Sequence, residues 1–229
     1  MNIPAYLVVG LIALGVSSFT LEPLSPKGSI YYLVLKRLMD IIVTSLILVC
    51  AVPLMVVVAM TIKLEDGGPI FYRSKRVGQW GRPFTLYKFR SMRPDAPLAK
   101  AGLEHLNEKD GPVFKIRHDP RITRVGRVIR KYSIDELPQI WNILQGDMSL
   151  VGPRPPLPEE VAKYSEREIE RLSVRPGMTS LYVVAGRSDL TFEEWVQLDL
   201  SYIRNRSIIQ DLRILLKSVP RILRGAGAY

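Results

Sequence analysis

Apolar positions are unevenly spread along the 229-residue chain. Two uninterrupted apolar runs, Ile3 to Leu21 and Ile41 to Ile62, fall in its first third, and the remainder reads as an ordinary globular pattern. Each run is long enough to cross a hydrocarbon core of roughly 30 Å as a helix. The first carries no charge, has no basic segment before it and shows no clear small-x-small cleavage signal, so it reads as a retained anchor. The second has Pro53 at its middle and cations at both ends, Lys36 and Arg37 before it and Lys63 after it. Cations at both ends disfavour a simple crossing, and a mid-helix proline removes a hydrogen bond and kinks the helix. A helix that enters the bilayer, bends at Pro53 and returns satisfies both facts; a spanning helix with a tolerated kink is the alternative. In the first case the N-terminal run crosses with its start outside, and the cationic remainder is cytoplasmic.

Beyond residue 66 the pattern shortens. Pro69 to Met92 predicts a hairpin around the turn Gly78-Gln79-Trp80-Gly81, with Lys88 and Arg90 on one face if the second strand is extended that far. Residues 93 to 112 are polar and broken by prolines and glycines, a loop with room for a short helix. Thr191-Phe-Glu-Glu194 is a capping box that opens a helix to about Ile203. In the segment after it, Arg213, Lys217, Arg221 and Arg224 form a basic stripe, with Leu212, Leu215, Leu216, Val219, Ile222 and Leu223 elsewhere. That helix suits either a membrane interface or packing on the core. The expected organisation is an N-terminal anchor over residues 1–30, a re-entrant membrane helix over 31–66 and a cytoplasmic catalytic domain over 67–229. The fold class is α+β, mainly helical, with a small β-hairpin and interfacial amphipathic helices on a monotopic membrane protein.

Composition narrows the function. The formal net charge is +10, which points to an anionic partner. Aromatics make up only 8% and no helix-turn-helix or zinc-finger pattern occurs, so the expected partner is an anionic substrate at a lipid surface, not nucleic acid. The single cysteine, Cys50, excludes an intrachain disulfide and reads as a small buried hydrophobe. Neither His105 nor His118 stands at metal-ligand spacing.

Candidate chemistry centres on RKYSIDELPQ, Arg130 to Gln139, where Asp135 and Glu136 follow a cationic run. Ser133-x-x-Glu136 fits a capping box, in which the acids need do no chemistry. Consecutive helical residues point about 100° apart, too divergent for a two-carboxylate glycosidase but able to surround one ion. Magnesium is held in this way, by one or two carboxylates plus phosphates and water. An ionised Asp135 can also attack phosphorus, with Lys88, Arg130 and Arg154 as candidate cations for the phosphoryl oxygens. No P-loop, GxGxxG or Asp-x-Asp motif offers a competing site. If a helix starts at Ser133, Glu136 completes the cap; if it starts at Asp135, Glu136 is free for the ion.

The segments KRLMDIIVTSLILVCAVPLM, FYRSKRVGQWGRPFTLYKFRSM, DPRITRVGRVIRKYSIDELPQIWNILQGDMSLVGPRP and RPGMT closely resemble the bacterial sugar transferase family, the monotopic polyprenyl-phosphate phosphoglycosyl transferases. The resemblance covers residues 33 to 229. It implies an enzyme of the bacterial inner membrane, acting on the cytoplasmic face in exopolysaccharide or lipopolysaccharide biosynthesis. Such an enzyme moves a sugar 1-phosphate from a nucleotide sugar, usually a UDP-sugar, to undecaprenyl phosphate and releases UMP, in ping-pong order. Asp135 is then the covalent nucleophile, and Glu136 helps hold Mg²⁺ or relays a proton. Lys88, Arg130 and Arg154 match the family's phosphate cations, Pro153 shapes the loop carrying Arg154, and Pro53 breaks the re-entrant helix. Two departures stand out. Val52 stands where many members have serine before this proline. YVVAGR, Tyr182 to Arg187, replaces AQVNGR, so Arg187 matches the nucleotide-sugar region while donor specificity does not carry over. Membrane lipids are expected partners, and self-association into a homodimer stays open. The competing reading is a non-catalytic membrane-surface protein whose acidic pair only caps a helix.

Overall fold

The computed structural model describes residues 30–99 and 101–225. The run Ile3 to Leu21 lies outside them. The order is α1 (Ile30–Asp66), β1 (Phe71–Val77), β2 (Pro83–Phe89), α2 (Ala96–Ala99), α3 (Arg124–Lys131), α4 (Gln139–Gln145), β3 (Ser149–Val151), α5 (Pro158–Val161), α6 (Glu166–Ile169), β4 (Gly177–Thr179), α7 (Leu181–Ala185), α8 (Phe192–Asn205) and α9 (Ile208–Arg224). The protein is mainly helical α+β, as the sequence pattern predicts. β1 and β2 form the antiparallel hairpin, and β3 pairs with β4 in parallel.

α1 is continuous over 37 residues, and its helical course runs on through Pro53. It is long and apolar enough to cross a membrane. Only one narrow seam is buried: Asp40, Thr44, Ala51, Val58 and Ile62, whose spacing places them on a single helical face. Outward residues such as Leu46 (64% exposed) and Val49 (74% exposed) are left mostly uncovered by the described residues. Cys50 belongs to that exposed set, contrary to the buried position expected for it. An apolar run hides a side chain only when protein surrounds the helix, and here protein covers one side.

Both ends of α1 hold the same body. Near its start, Arg37 donates to the carbonyls of Ile143 (2.6 Å) and Leu144 (2.8 Å), capping the C-terminus of α4. Asp40 accepts from Ser149 Oγ and the Leu150 amide, both at 3.0 Å. Near its other end, Val58 and Ile62 pack with Phe89 and Ile129, and Glu65 accepts the first amides of α3.

The remaining core lies between the hairpin, the β3–β4 pair and the C-terminal helices, with Met148, Val151, Val161, Ile169, Val196 and Ile214 at its centre. α8 opens with the predicted box: Thr191 Oγ1 accepts from the Glu194 amide, and Glu194 Oε2 accepts from the Thr191 amide. α9 divides its surface. Asp211, Ile214 and Ser218 face the core, while Ile209, Leu212, Leu216, Val219 and Leu223 form an exposed apolar stripe. The core-packing reading holds for its inner side.

Candidate active site

Asp135 and Glu136 lie on a short 3₁₀ turn, Ile134–Glu136, between α3 and α4. Ile134 and Leu137 on either side press into the cluster of Val58, Ile62, Phe89 and Ile129, which fixes the turn against α1. The expected capping box is absent. Ser133 adopts a left-handed backbone (φ 54°, ψ 23°), and its side chain makes no cap bond. Its hydroxyl instead accepts from Arg187 Nη2 at 3.2 Å, and α4 begins only at Gln139. A 3₁₀ turn thus starts after Ser133 without its side-chain cap, because a tertiary contact holds the Ser133 hydroxyl away from the amides it would cap.

Glu136 is consequently free for another partner. Lys88 Nζ donates to Glu136 Oε1 at 2.6 Å and stands 3.9 Å from Asp135 Oδ2. Lys88 is aimed by a buried amide: Asn142 on α4 accepts from the Tyr87 amide (3.2 Å) and donates to the Thr85 carbonyl (2.7 Å) on β2. Arg90 does not join it. Its guanidinium pairs with Asp66 and donates to the Pro69 carbonyl, so the two cations expected on one strand face have separate tasks.

These groups open into a cavity of about 260 Å³ lined by Lys88, Arg130, Asp135, Glu136, Arg154 and Arg187. The candidate catalytic, phosphate-binding and nucleotide-region residues therefore meet in one place, while Arg90 and Pro53 lie apart. Arg154 follows the close crossing of β3 and β4. A Cβ on Gly177 would fall 2.0 Å from the Gly152 amide nitrogen, so only glycine lets these backbones touch. The Gly177 amide bonds the Pro153 carbonyl at 2.8 Å, and Arg154 then lies 3.6 Å from Glu160 and over the Trp195 ring. The same cavity holds Arg76, Lys109, Lys115, Gln139 and Tyr182, none of which the sequence analysis gives a role in the site. A cation within a strand pattern, such as Arg76, looks like any edge charge until its neighbours are known.

Electrostatics separate the two acids. Burial, opposed by Lys88 and aided by the Glu136 charge, raises Asp135 to about 6. Burial also pushes Glu136 up, but Lys88, by charge and hydrogen bond, together with Arg187 and Arg154, outweighs it and holds Glu136 below the usual range. At neutral pH both are ionised, Asp135 with the less stabilised charge. Their oxygens suit a hard divalent cation, and both face a cavity that phosphates and water can enter to complete a shell. Among the described residues no third acid, histidine or cysteine joins them to form a protein cage. The donor set thus fits magnesium shared with a phosphorylated ligand.

The site is thus a cationic cavity with a carboxylate dyad, carried on a helical body packed against one helix long and apolar enough to cross a membrane. The model described as bacterial sugar transferase matches residues 31–225, and the chain belongs to that family. It is 46% identical over 199 residues to the galactosyl transferase CpsE of Streptococcus agalactiae, covering 86% of this chain and 44% of that protein. It is 43% identical over 206 residues to an undecaprenyl-phosphate galactose phosphotransferase of Salmonella typhimurium, covering 85% and 42%. A UDP-glucose:undecaprenyl-phosphate glucose-1-phosphate transferase of Caulobacter vibrioides is 39% identical over 220 residues, covering 92% and 78%. The chain spans less than half the length of the first two relatives and most of the third.

Proposed function

We propose that the protein transfers a sugar 1-phosphate from a UDP-sugar to a polyprenyl phosphate, such as undecaprenyl phosphate, and releases UMP. The observation that carries this reading is the meeting of a partly stabilised aspartate with Lys88, Arg130, Arg154 and Arg187 in one cavity. The names of two relatives, a galactose phosphotransferase and a UDP-glucose-dependent transferase acting on undecaprenyl phosphate, agree with it.

Asp135 Oδ attacks the sugar-bearing phosphorus. The bond from that phosphorus to the bridging oxygen breaks, and its electron pair leaves on UMP. The phosphate of the polyprenyl acceptor then displaces Asp135, forming the polyprenyl diphosphosugar and freeing the carboxylate. Burial makes Asp135 a better nucleophile, because its charge is poorly solvated before attack. Lys88 keeps the acid ionised and, with Arg130, Arg154 and Arg187, offsets charge on the phosphoryl oxygens. Asp135 and Glu136 are the residues that would hold Mg²⁺. The ion would neutralise phosphate charge.

The apolar helix meets the acceptor's lipid. Asp40 and Val58, about 27 Å apart along α1, both dock on one body. A straight crossing would put one of these contacts on the far side of a core roughly 30 Å thick. This supports a re-entrant α1 with both ends on the cytoplasmic face, its outward side and the α9 stripe in lipid. Membrane preparations given UDP-sugars and undecaprenyl phosphate should release UMP, and Asp135→Asn should stop release while the protein stays membrane-bound. Undiminished turnover in that variant would remove Asp135 as the nucleophile.

A further inference from the structure

β1 alternates so that Arg76 points inward, and the side chain ends only 8% exposed. Nη1 donates to the Pro155 carbonyl at 3.1 Å, but Nε is buried with no hydrogen-bond partner. Arg154 Nη1 is in the same condition, since Glu160 at 3.6 Å is beyond hydrogen-bond range. Both line the cavity. Burial, and next the Arg154 charge, pulls Arg76 down to about 10. Glu160 answers only part of this charge, because its other oxygen accepts the Leu157 amide at 2.9 Å. Buried cations with unused N–H groups are costly unless an anion completes them.

Lys115 lines the same cavity. Burial first, then Arg130, Arg154, Lys109 and Arg187, lowers it to about 7. The charges acting most strongly on Asp135, by contrast, are Lys88, Glu136 and Arg130. Arg154 is among the strongest charges on both Arg76 and Lys115 and Lys88 on neither, while Arg130 acts on Asp135 and Lys115 alike, so Arg76, Lys115 and Arg154 lie together with Arg130 between them and Lys88.

We infer that Arg76 and Lys115 join Arg154 in a second phosphate subsite, which receives the phosphate that leaves on the nucleoside. This rests on the transfer proposed above. When the Asp135–phosphorus bond forms, the bridging bond breaks and its electron pair stays on the nucleotide phosphate. The Arg154 group meets that new charge while Lys88 stays with the phosphoryl group being transferred. Lys115 takes up a proton as the phosphate arrives, because the anion cancels the repulsion from its neighbours.

Calorimetry of the full chain in detergent, titrated with UMP and separately with uridine, tests the assignment. Arg76→Gln and Lys115→Gln should each weaken UMP binding tenfold or more while leaving uridine binding within twofold. Arg76→Lys should recover part of the loss. At pH 8 the wild-type UMP enthalpy should vary with buffer ionisation heat, reporting proton uptake, and Lys115→Arg should abolish that slope. An unchanged UMP-to-uridine ratio in folded Arg76→Gln and Lys115→Gln overturns the subsite and leaves the transferase reading standing. Absence of UMP binding by the wild type overturns both.

Discussion

Asp135 and Asp199 are both buried acids raised to about 6, each mainly by burial. Their surroundings differ in every other respect. Asp199 is closed in: Arg171 Nε donates to it at 2.9 Å, and the same guanidinium bonds the Tyr164 hydroxyl and lies 4.7 Å from the Trp195 ring centre. Asp135 has Lys88 only at 3.9 Å and opens on the cavity. A raised pKa therefore does not mark a reactive carboxylate; an incomplete partner shell facing an entrance does. Asp199 stabilises the wall on which Trp195 and Arg154 sit, and Asp135 is left with an oxygen to spend.

Exchanging each acid should separate these roles. Asp135→Asn is expected to lower UMP release by about three orders of magnitude or more, as loss of a covalent nucleophile does, with membrane binding and circular dichroism unchanged. Asp199→Ala should do the reverse. It strands Arg171 as a buried charge, costing about 3–5 kcal/mol in denaturation experiments, while turnover per folded molecule stays near wild type. Lys88→Gln removes the cation that most lowers Asp135, so UMP release should fall and its acidic limb should move to higher pH. In the wild type that limb should lie near pH 6, with rate lost as pH falls through it, because attack requires the ionised acid. The smallest effect concerns stability. Folded Asp135 has a raised pKa, so the native state holds the extra proton below about pH 6 and bears the cost of a buried charge above it. Asp135→Asn should accordingly raise the melting temperature by roughly 2–4 °C at pH 7.5 and by less at pH 4.5.

Much of this arrangement was legible in the chain. The hairpin follows from strand patterning around Gly78 and Gly81, and α8 from its capping box, both local signals. Lys88, Arg130, Asp135, Glu136, Arg154 and Arg187 were marked by motif, and all line one cavity. The misreadings share a cause. Of the two registers open for Ser133, the side-chain cap fails because Arg187, 54 positions later, holds its hydroxyl. Cys50 was expected inside because its run is apolar, although the run's outer side has no protein over it. Arg76 and Lys115 carried no local mark, since only the β3–β4 crossing and the loop before α3 turn them into a shared space. Asn142 left a faint one: a fully buried amide between Ile140 and Ile143 on a short apolar helix needs partners, and it finds them on β2.

The seating of Ile134 and Leu137 on the Val58–Ile62 stretch of α1 sets the depth of the dyad. On the proposed placement of α1 in the leaflet, Asp135 would ride at a constant height over the lipid, and the proposed acceptor, anchored in the same leaflet, would carry its phosphate at a constant height too. Their encounter becomes a search in a plane, governed by lateral diffusion and surface density. The apparent affinity for the acceptor should accordingly scale with its mole fraction in the bilayer, and diluting vesicles at fixed composition should leave the rate per enzyme unchanged.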